Sequence, residues 1–282
     1  MQITLTGATG RIGRVIAPTV RAAGHDVRAV DQRAHPEVTG PVIYADLRDP
    51  VATLNAIAGS EVVVHFGNLA HAGMGSPEYV FNTNATINMN VFEACRTTGV
   101  RQVIFASSIQ AVTAFGSGRR QDAAQFCELS YLPLDGAAPF IPRNGYALSK
   151  MVGEQQLQYA VDLSEHGMSG ISLRLPSTVS RVHGGWRRSW RESFIIMHRS
   201  DAARLVLAMI DHPQPGYCCV QAGSHQLGWP DTSISEVYDE YFAHVPLKRP
   251  LAEMTSFCDL DELKQRFDWE PQADLYAETE DD

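Results

Sequence analysis

Short apolar runs rich in β-branched residues alternate along this chain with longer stretches whose apolar positions recur every three or four residues. A period of two marks a strand, and a period near 3.6 marks a helix with one buried face. Strands are predicted at Gln2–Leu5, Val27–Val30, Val42–Tyr44, Glu61–Phe66, Val103–Ala106 and Ile171–Leu175. Helices are predicted over Arg11–Ala23 before Gly24, Pro50–Ala58, Pro77–Thr98 before Gly99, Asn144–His166 before Gly167, and Arg199–Ile210 before His212-Pro213. Strands separated by helical crossovers must pair in parallel, which makes the fold class α/β with a doubly wound, mostly parallel sheet. Beyond Pro176 the regularity weakens, with Pro215, Pro230, Pro246, Pro250 and Pro271 interrupting short segments.

Composition narrows the partners. The chain has 282 residues, 44% hydrophobic and 20% charged, and a net charge of −9. That is ordinary for a globular enzyme, and the acidic balance argues against nucleic acid or an anionic membrane as partner. A small anionic substrate stays open, because a pocket can be basic on an acidic protein. No apolar run reaches the ~18 to 20 residues a membrane span needs, and the first residues lack a secretory lead. The five cysteines, Cys95, Cys127, Cys218, Cys219 and Cys258, form neither a disulfide framework nor a zinc-ligand spacing, so no metal is expected. A reducing, cytoplasmic setting is the expectation.

Between the first strand and first helix stands Thr6-Gly7-Ala8-Thr9-Gly10-Arg11-Ile12-Gly13. Glycines there let the chain turn tightly and let a pyrophosphate approach backbone, while the helix that follows offers free N–H groups. Gly7, Gly10, Arg11, Ile12 and Gly13 are therefore candidate dinucleotide ligands. Asp31 lies 24 residues after Gly7, just past the second strand, where an acid can accept from the adenosine ribose hydroxyls and repel a 2′-phosphate. NAD is expected over NADP, although Arg33 tempers the preference. Asp46-Leu47 after the third strand would serve the adenine edge. The domain reading is a Rossmann-type dinucleotide-binding domain over 1–176, and a small substrate-binding part over 177–282 interleaved with the sheet.

Tyr146 and Lys150 sit four apart at a helix start and share a face. A phenol with a pKa near 10 is a poor base until a neighbouring ammonium favours its phenolate. The pair is a candidate acid/base for a hydroxyl proton. Ser107 and Ser108 fall at the carboxyl end of a strand, where open α/β sheets bind ligands. Ser107 reads as a strand-end cap and Ser108 as a donor to the reacting oxygen. His65 and His71 read as core or loop residues rather than catalytic ones, and the loop from His71 to Gly75 as a wall of the substrate pocket.

Together these pieces resemble the extended short-chain dehydrogenase/reductase family, the NAD-dependent epimerase/dehydratase group. The resemblance spans roughly residues 1–210 and adds Val63-Val64-His65-Phe66-Gly67-Asn68, Asn82-Thr83-Asn84-Ala85-Thr86, Leu173-Arg174-Leu175-Pro176 and the closing Phe267-Asp268-Trp269-Glu270-Pro271. It implies Tyr146 as acid/base, Lys150 as its partner and nicotinamide-ribose ligand, and Ser108 as substrate-oxygen donor. It also implies Asn82 beside the cofactor, Gly67 beside the nicotinamide half, and Pro176 and Ser177 facing the carboxamide or substrate. Dehydratases of the group carry an Asp-Glu pair where this chain has Ile109 and Gln110, so dehydration is disfavoured and Gln110 becomes a candidate substrate contact.

Only 21 residues, Ser177 to Met197, precede His198, where nucleotide-sugar enzymes of the group usually need more. The layout is closest to uronate dehydrogenase-like members. Arg181 to Arg191 holds four arginines and two tryptophans, and Arg181 and Arg187 are the candidates for an anionic substrate, with Arg188 beside them. A solvated basic turn or an oligomer contact is the competing reading. Residues 113–143 read as a lid, with Phe115, Phe126 and Phe140 over substrate or packed down. The expected activity is transfer of a hydride from a secondary alcohol of a small sugar, sugar acid or polyol to NAD. An NAD-retaining epimerase and a non-catalytic dinucleotide-sensing regulator are the alternatives. The long helices over Pro77–Thr98 and Asn144–His166 suggest a homodimer, with Met151, Val152, Leu157, Tyr159 and Val161 either at that interface or against the sheet.

Overall fold

A computed structural model describes residues 1–38, 40–113, 128–182, 194–230 and 232–277. In chain order the first half forms β1 (Gln2–Thr6), α1 (Gly13–Ala22), β2 (Asp26–Asp31), β3 (Val42–Tyr44) and α2 (Pro50–Ile57). β4 (Val62–His65), α3 (Pro77–Thr98), β5 (Gln102–Ser108), α4 (Gly145–Asp162) and β6 (Ser169–Leu175) follow. The second half adds β7 (Ser177–Val179), β8 (Ile196–His198), α5 (Arg199–Asp211), β9 (Tyr217–Gln221), α6 (Ile234–Val237) and α7 (Leu260–Phe267).

Seven strands make one parallel sheet in the order β3-β2-β1-β4-β5-β6-β9, and β7 pairs with β8 beside it. β4, β5 and β6 are buried along their whole lengths. That follows from helices covering both faces, and it is why their sequences read as apolar runs without alternation. One face packs Ile16, Val20, Leu205, Met209 and Phe267 from α1, α5 and α7 against the sheet. The other packs Ile57, Val91, Phe92, Leu157 and Val161 from α2, α3 and α4.

Local signals set the helix ends. Asp49 accepts from Val51 and Ala52 N–H ahead of Pro50, and Ser76 accepts from Tyr79 N–H ahead of Pro77. Gly99 closes α3 in the left-handed region, at φ 80°. No helix among the described residues is long and apolar enough to cross a membrane.

Several boundaries differ from the sequence expectation. β5 continues through Ser107 and Ser108, because both residues pair with β6 (Ser107 with Arg174, Ser108 with Leu175). α4 stops at Asp162 rather than His166, since Ser164 turns back to accept from Met168 N–H and His166 bonds the Val100 carbonyl. β9 and α7 were not anticipated. Residues 177–277 thus return β9, α5 and α7 to the sheet layers, and elsewhere build a second core of Phe194, Trp229, Phe242, Phe257 and Leu227. That core also takes Ile109, Val112, Leu132 and Leu134 from before α4.

Candidate active site

Strand order reverses between β1 and β4, and both strands point their carboxyl ends at the crevice so formed. The glycine turn fills the β1 side. Gly7 has φ +70°, and a Cβ there would lie 2.5 Å from the Phe66 carbonyl oxygen. A Cβ on Gly13 would lie 2.2 Å from the Gly7 carbonyl oxygen, and Gly10 N–H closes the turn onto that oxygen at 3.0 Å. Only glycine fits the first and third positions. Ile12 packs into the core below, while Arg11 is exposed. α1 begins after Ile12 with no side-chain cap and no acid in its first turn; Arg14 and Val15 N–H bond the Gly10 and Ile12 carbonyls at 3.0 and 2.9 Å, so what the turn offers an anion is the positive end of the helix. Burial, together with repulsion from Arg11 and Arg14, lowers the Arg199 pKa, so three guanidinium groups share the space by this turn. A pyrophosphate fits a cradle of that shape and sign.

Asp31 ends β2, its carboxylate accepting from Thr9 N–H at 3.0 Å and Gln32 N–H at 2.7 Å. It therefore braces the glycine turn and keeps lone pairs toward the crevice. Asp46 is gripped by the Arg48 fork at 2.6 and 3.1 Å and by Gln32 at 3.0 Å. The Arg48 guanidinium holds that carboxyl below its usual range. Leu47 is buried, and its Cδ1 would lie 2.8 Å from any Cβ on Gly67. With Thr6 Oγ1 at 3.0 Å from the same point, Gly67 has little room for a side chain.

The catalytic candidates converge at the end of β5. Tyr146 and Lys150 lie in the first turns of α4, capped by Asn144, which accepts from Ala147 N–H at 2.8 Å. A Cβ on Gly145 would meet the Pro77 carbonyl oxygen at 2.2 Å, so this helix start presses directly on the start of α3. Tyr146 is 8% exposed, Ser108 6% and Lys150 3%. Lys150 Nζ donates to the Ala106 carbonyl at 2.7 Å and to Asn68 Oδ1 at 2.8 Å, and stands 5.6 Å from the Tyr146 ring centre. Burial pushes its pKa down to about 7, and Glu154 pulls the other way.

Ser108 Oγ accepts from Gln110 N–H at 3.2 Å, which turns its own proton away, free to donate. Gln110 Oε1 accepts from Asn144 Nδ2 at 3.3 Å and so ties the serine turn to the tyrosine helix. The cap therefore belongs to Ser108, whereas the sequence led us to expect it at Ser107. Ser107 instead donates to buried Glu154 at 2.5 Å, because pairing through Ser108 carries its side chain onto the α4 side.

α3 carries Asn82, the asparagine expected beside the cofactor. It is exposed, whereas Asn84 is buried and uses its amide on both backbone groups of Leu69, at 2.8 and 3.1 Å, and on Ser149 Oγ at 3.0 Å. Two residues along a helix is about 200° of rotation, so the two asparagines face opposite sides of α3, and the Asn84 amide is spent on the protein.

Pro176 is buried one residue beyond Leu175, the partner of Ser108, and Ser177 opens β7. Arg181 is half-buried, with Val182 N–H on the Leu275 carbonyl. Arg187, with Arg188 and both tryptophans of that segment, lies outside the described residues, as do Phe115 and Phe126. Phe140 lies over the Arg174 guanidinium, 5.1 Å away.

Sequence reasoning overlooked what stands behind this site. Arg174 and Glu154 form a buried two-pronged ion pair, Nε to Oε1 at 2.9 Å and Nη2 to Oε2 at 2.8 Å. Arg174 also donates to the Ala138 carbonyl at 3.0 Å, anchoring the segment that leads to Asn144. Burial works against its charge, and the Glu154 hydrogen bond together with the surrounding negative charge, Glu154 included, outweighs it. The signals were an arginine inside an apolar strand and a glutamate four residues after Lys150. His65 is a core residue as expected, hydrogen-bonded to Thr6 and Asn88 and pushed down to about 3 by burial.

Glycine cradle, ribose-facing acid and a buried Tyr/Lys pair at a parallel strand end define a dinucleotide-dependent enzyme of the short-chain dehydrogenase/reductase type. Residues 3–195 match the NAD-dependent epimerase/dehydratase family, and the chain belongs to it, with NAD as its cofactor. It is 30% identical over 182 residues to a uronate dehydrogenase from Pseudomonas putida, covering 63% of this chain and 61% of that one. A uronate dehydrogenase from Pseudomonas syringae pv. tomato is 26% identical over 243 residues, covering 84% and 80%. The match thus spans less than two thirds of the first relative and four fifths of the second. The fold is shared with a short-chain dehydrogenase/reductase superfamily protein from Agrobacterium tumefaciens with bound NAD, at TM-score 0.73 and 18% identity over 98% of this chain and 94% of that one.

Proposed function

We propose that the protein oxidises a secondary alcohol of a small sugar or sugar acid, with a uronic acid as the leading substrate class. The observation that carries this reading is the Tyr146–Lys150–Ser108 grouping at the end of β5, beside the glycine cradle. NAD, when bound, supplies the acceptor for the hydride. Gly7, Gly10, Arg11, Ile12 and Gly13 would hold its pyrophosphate, Asp31 the adenosine ribose, and Leu47 and Asp46 the adenine side. Gly67, Asn82 and Pro176 would flank its nicotinamide half.

Ser108 donates to the substrate hydroxyl oxygen while Tyr146 takes the hydroxyl proton. Lys150 spends two N–H bonds on protein oxygens and keeps one for the nicotinamide ribose. Its charge, placed by the tyrosine ring, favours the phenolate. Ile109 is buried and Gln110 is tied to Asn144, so neither position after Ser108 supplies a carboxylate to expel water. Similarity to the two uronate dehydrogenases supports an acid substrate, for which Arg181 and Arg187 are the proposed carboxylate ligands, with Gln110 and Ser177 on the sugar hydroxyls. The cytoplasm is the proposed setting. Tyr79, Met89, Leu148 and Tyr159 are exposed on α3 and α4, which supports a homodimer through that face, while Leu157 and Val161 face the sheet.

The test is a panel of uronic acids, aldoses and polyols with NAD and with NADP, followed by absorbance of the reduced cofactor. Turnover with a uronic acid and NAD is expected, and Tyr146→Phe should lower kcat by about 10³-fold while NAD still binds. Tight NAD in the purified protein with no net reduction by any substrate would replace this reading with an epimerase. Full turnover by Tyr146→Phe would remove the proton-transfer role.

A further inference from the structure

Lys150 is joined to the glycine turn by a continuous line of buried and half-buried hydrogen bonds. Its Nζ donates to Asn68 Oδ1 at 2.8 Å, and Asn68 Nδ2 donates to Asn88 Oδ1 at 2.9 Å. Asn88 Oδ1 also takes His65 Nε2 at 3.1 Å, and His65 Nδ1 meets Thr6 Oγ1 at 2.7 Å. Thr6 Oγ1 in turn accepts Gly67 N–H at 3.1 Å.

The donors and acceptors allow one direction only. The direction is set from the ammonium end: Asn68 turns its oxygen to Lys150 and its nitrogen to Asn88, so His65 carries its proton on Nε2, gives it to Asn88 Oδ1 and accepts the Thr6 hydroxyl on Nδ1. Asn88 must then present oxygen to both neighbours. Its Nδ2 is buried with no partner, and a Cβ on Gly153 would lie 2.5 Å from that nitrogen. A buried unpaired amide nitrogen costs about 1–3 kcal/mol, and turning the amide over would set nitrogen against two donors instead. Asn68 is thereby held with its oxygen toward Lys150.

We propose that Asn68 is a positioning residue for Lys150, its carbonyl kept on the ammonium by the line through Asn88 and His65 to Thr6. The proposal rests on the reading of Lys150 as partner of the acid/base. The titratable groups facing Lys150 are Tyr146 and Glu154 from its own helix and His65 from β4, while β5 presents the Phe105 ring at 4.9 Å and the Ala106 carbonyl. Asn68 adds an acceptor that favours the charged amine against burial.

The chain has three lysines, Lys150, Lys248 and Lys264, so lysine labelled with ¹³C at Cε gives three signals, and Lys150→Arg identifies the one that matters. Partners raise the pKa of Lys248 and Lys264, which keeps them clear of it. Asn68→Leu should lower the Lys150 titration midpoint by about one pH unit. Asn68→Asp, which keeps an acceptor at the amine, should restore the midpoint to the wild-type value or above. Where Asn68→Leu does not fold, Asn88→Ser loosens the grip on Asn68 without touching Lys150, and a smaller fall is expected. A midpoint unmoved by these variants, or one lowered equally by Asn68→Leu and Asn68→Asp, overturns the proposal. The titration needs no substrate, so failure of every sugar in the panel would bear on the functional reading and not on this one.

Discussion

The cofactor side and the substrate side of this crevice are built on different principles. On the cofactor side, positions are set by backbone: a glycine turn with no room for Cβ, an uncapped helix start, and strand ends in a single parallel register. On the substrate side they are set by aromatic packing, with Phe194 against Phe242 at 4.9 Å and Phe242 against Phe257 at 5.5 Å, in a core fed from both halves of the chain. Between the two runs the Glu154–Arg174 pair, which touches β5 through Ser107 and the 138–140 segment through Arg174. Backbone-built geometry tolerates little change of side chain at few places. Packing-built geometry tolerates much change at many, and that leaves the substrate side free to be reshaped while the cofactor side stays.

This contrast can be broken at several points. The largest effect is expected at the seam, where Glu154→Ala leaves the Arg174 charge buried and alone and should cost about 3–5 kcal/mol in denaturant unfolding. Phe242→Ala should cost about 3–4 kcal/mol by opening a cavity in the aromatic core, and it should weaken substrate more than NAD, read as KM against the NAD Kd. Gly13→Ala reverses that pattern. It forces the turn apart and should weaken NAD about tenfold or more by calorimetry, with little effect on the aromatic core. Asp31→Ser should be the mildest of the substitutions, narrowing the NAD-over-NADP preference by about tenfold in kcat/KM.

A pH effect sharpens the same comparison. Lys150 ionises near pH 7 in the folded protein and near 10.4 when unfolded, so between those values the unfolded chain holds more protons. Stability should therefore rise with pH from about 7 toward 10 relative to Lys150→Met, and the lysine should be most destabilising below pH 7. Parallel unfolding curves for the two proteins at every pH would refute this.

What could be read in advance follows the same division. The glycine turn, Asp31, the Tyr146–Lys150 spacing and the strands through Ile171–Leu175 depend on local period and local chemistry, so the residues displayed them. β9 was missed because Tyr217-Cys-Cys-Val-Gln carries no alternation and is a strand only through pairing with β6. The Lys150–Asn68–Asn88–His65–Thr6 line joins four parts of the chain, and no spacing along the sequence displays it.

Asp201, fully buried at the start of α5, accepts from the backbone N–H groups of Gln272 and Ala273 and is paired with Arg204. This latch has a consequence for the order in which the molecule can assemble during synthesis. The glycine turn, β1–β6 and the Tyr/Lys helix have all left the ribosome before α5 appears. The carboxylate that begins α5 then waits about 70 residues for its backbone partners. Until they arrive, Asp201 is a charge that the core cannot accept dry, and the apolar face of α5 is held back with it. The nucleotide cradle is thus in place early, and the last turn of the lock on the substrate wall is made by a segment far along the chain.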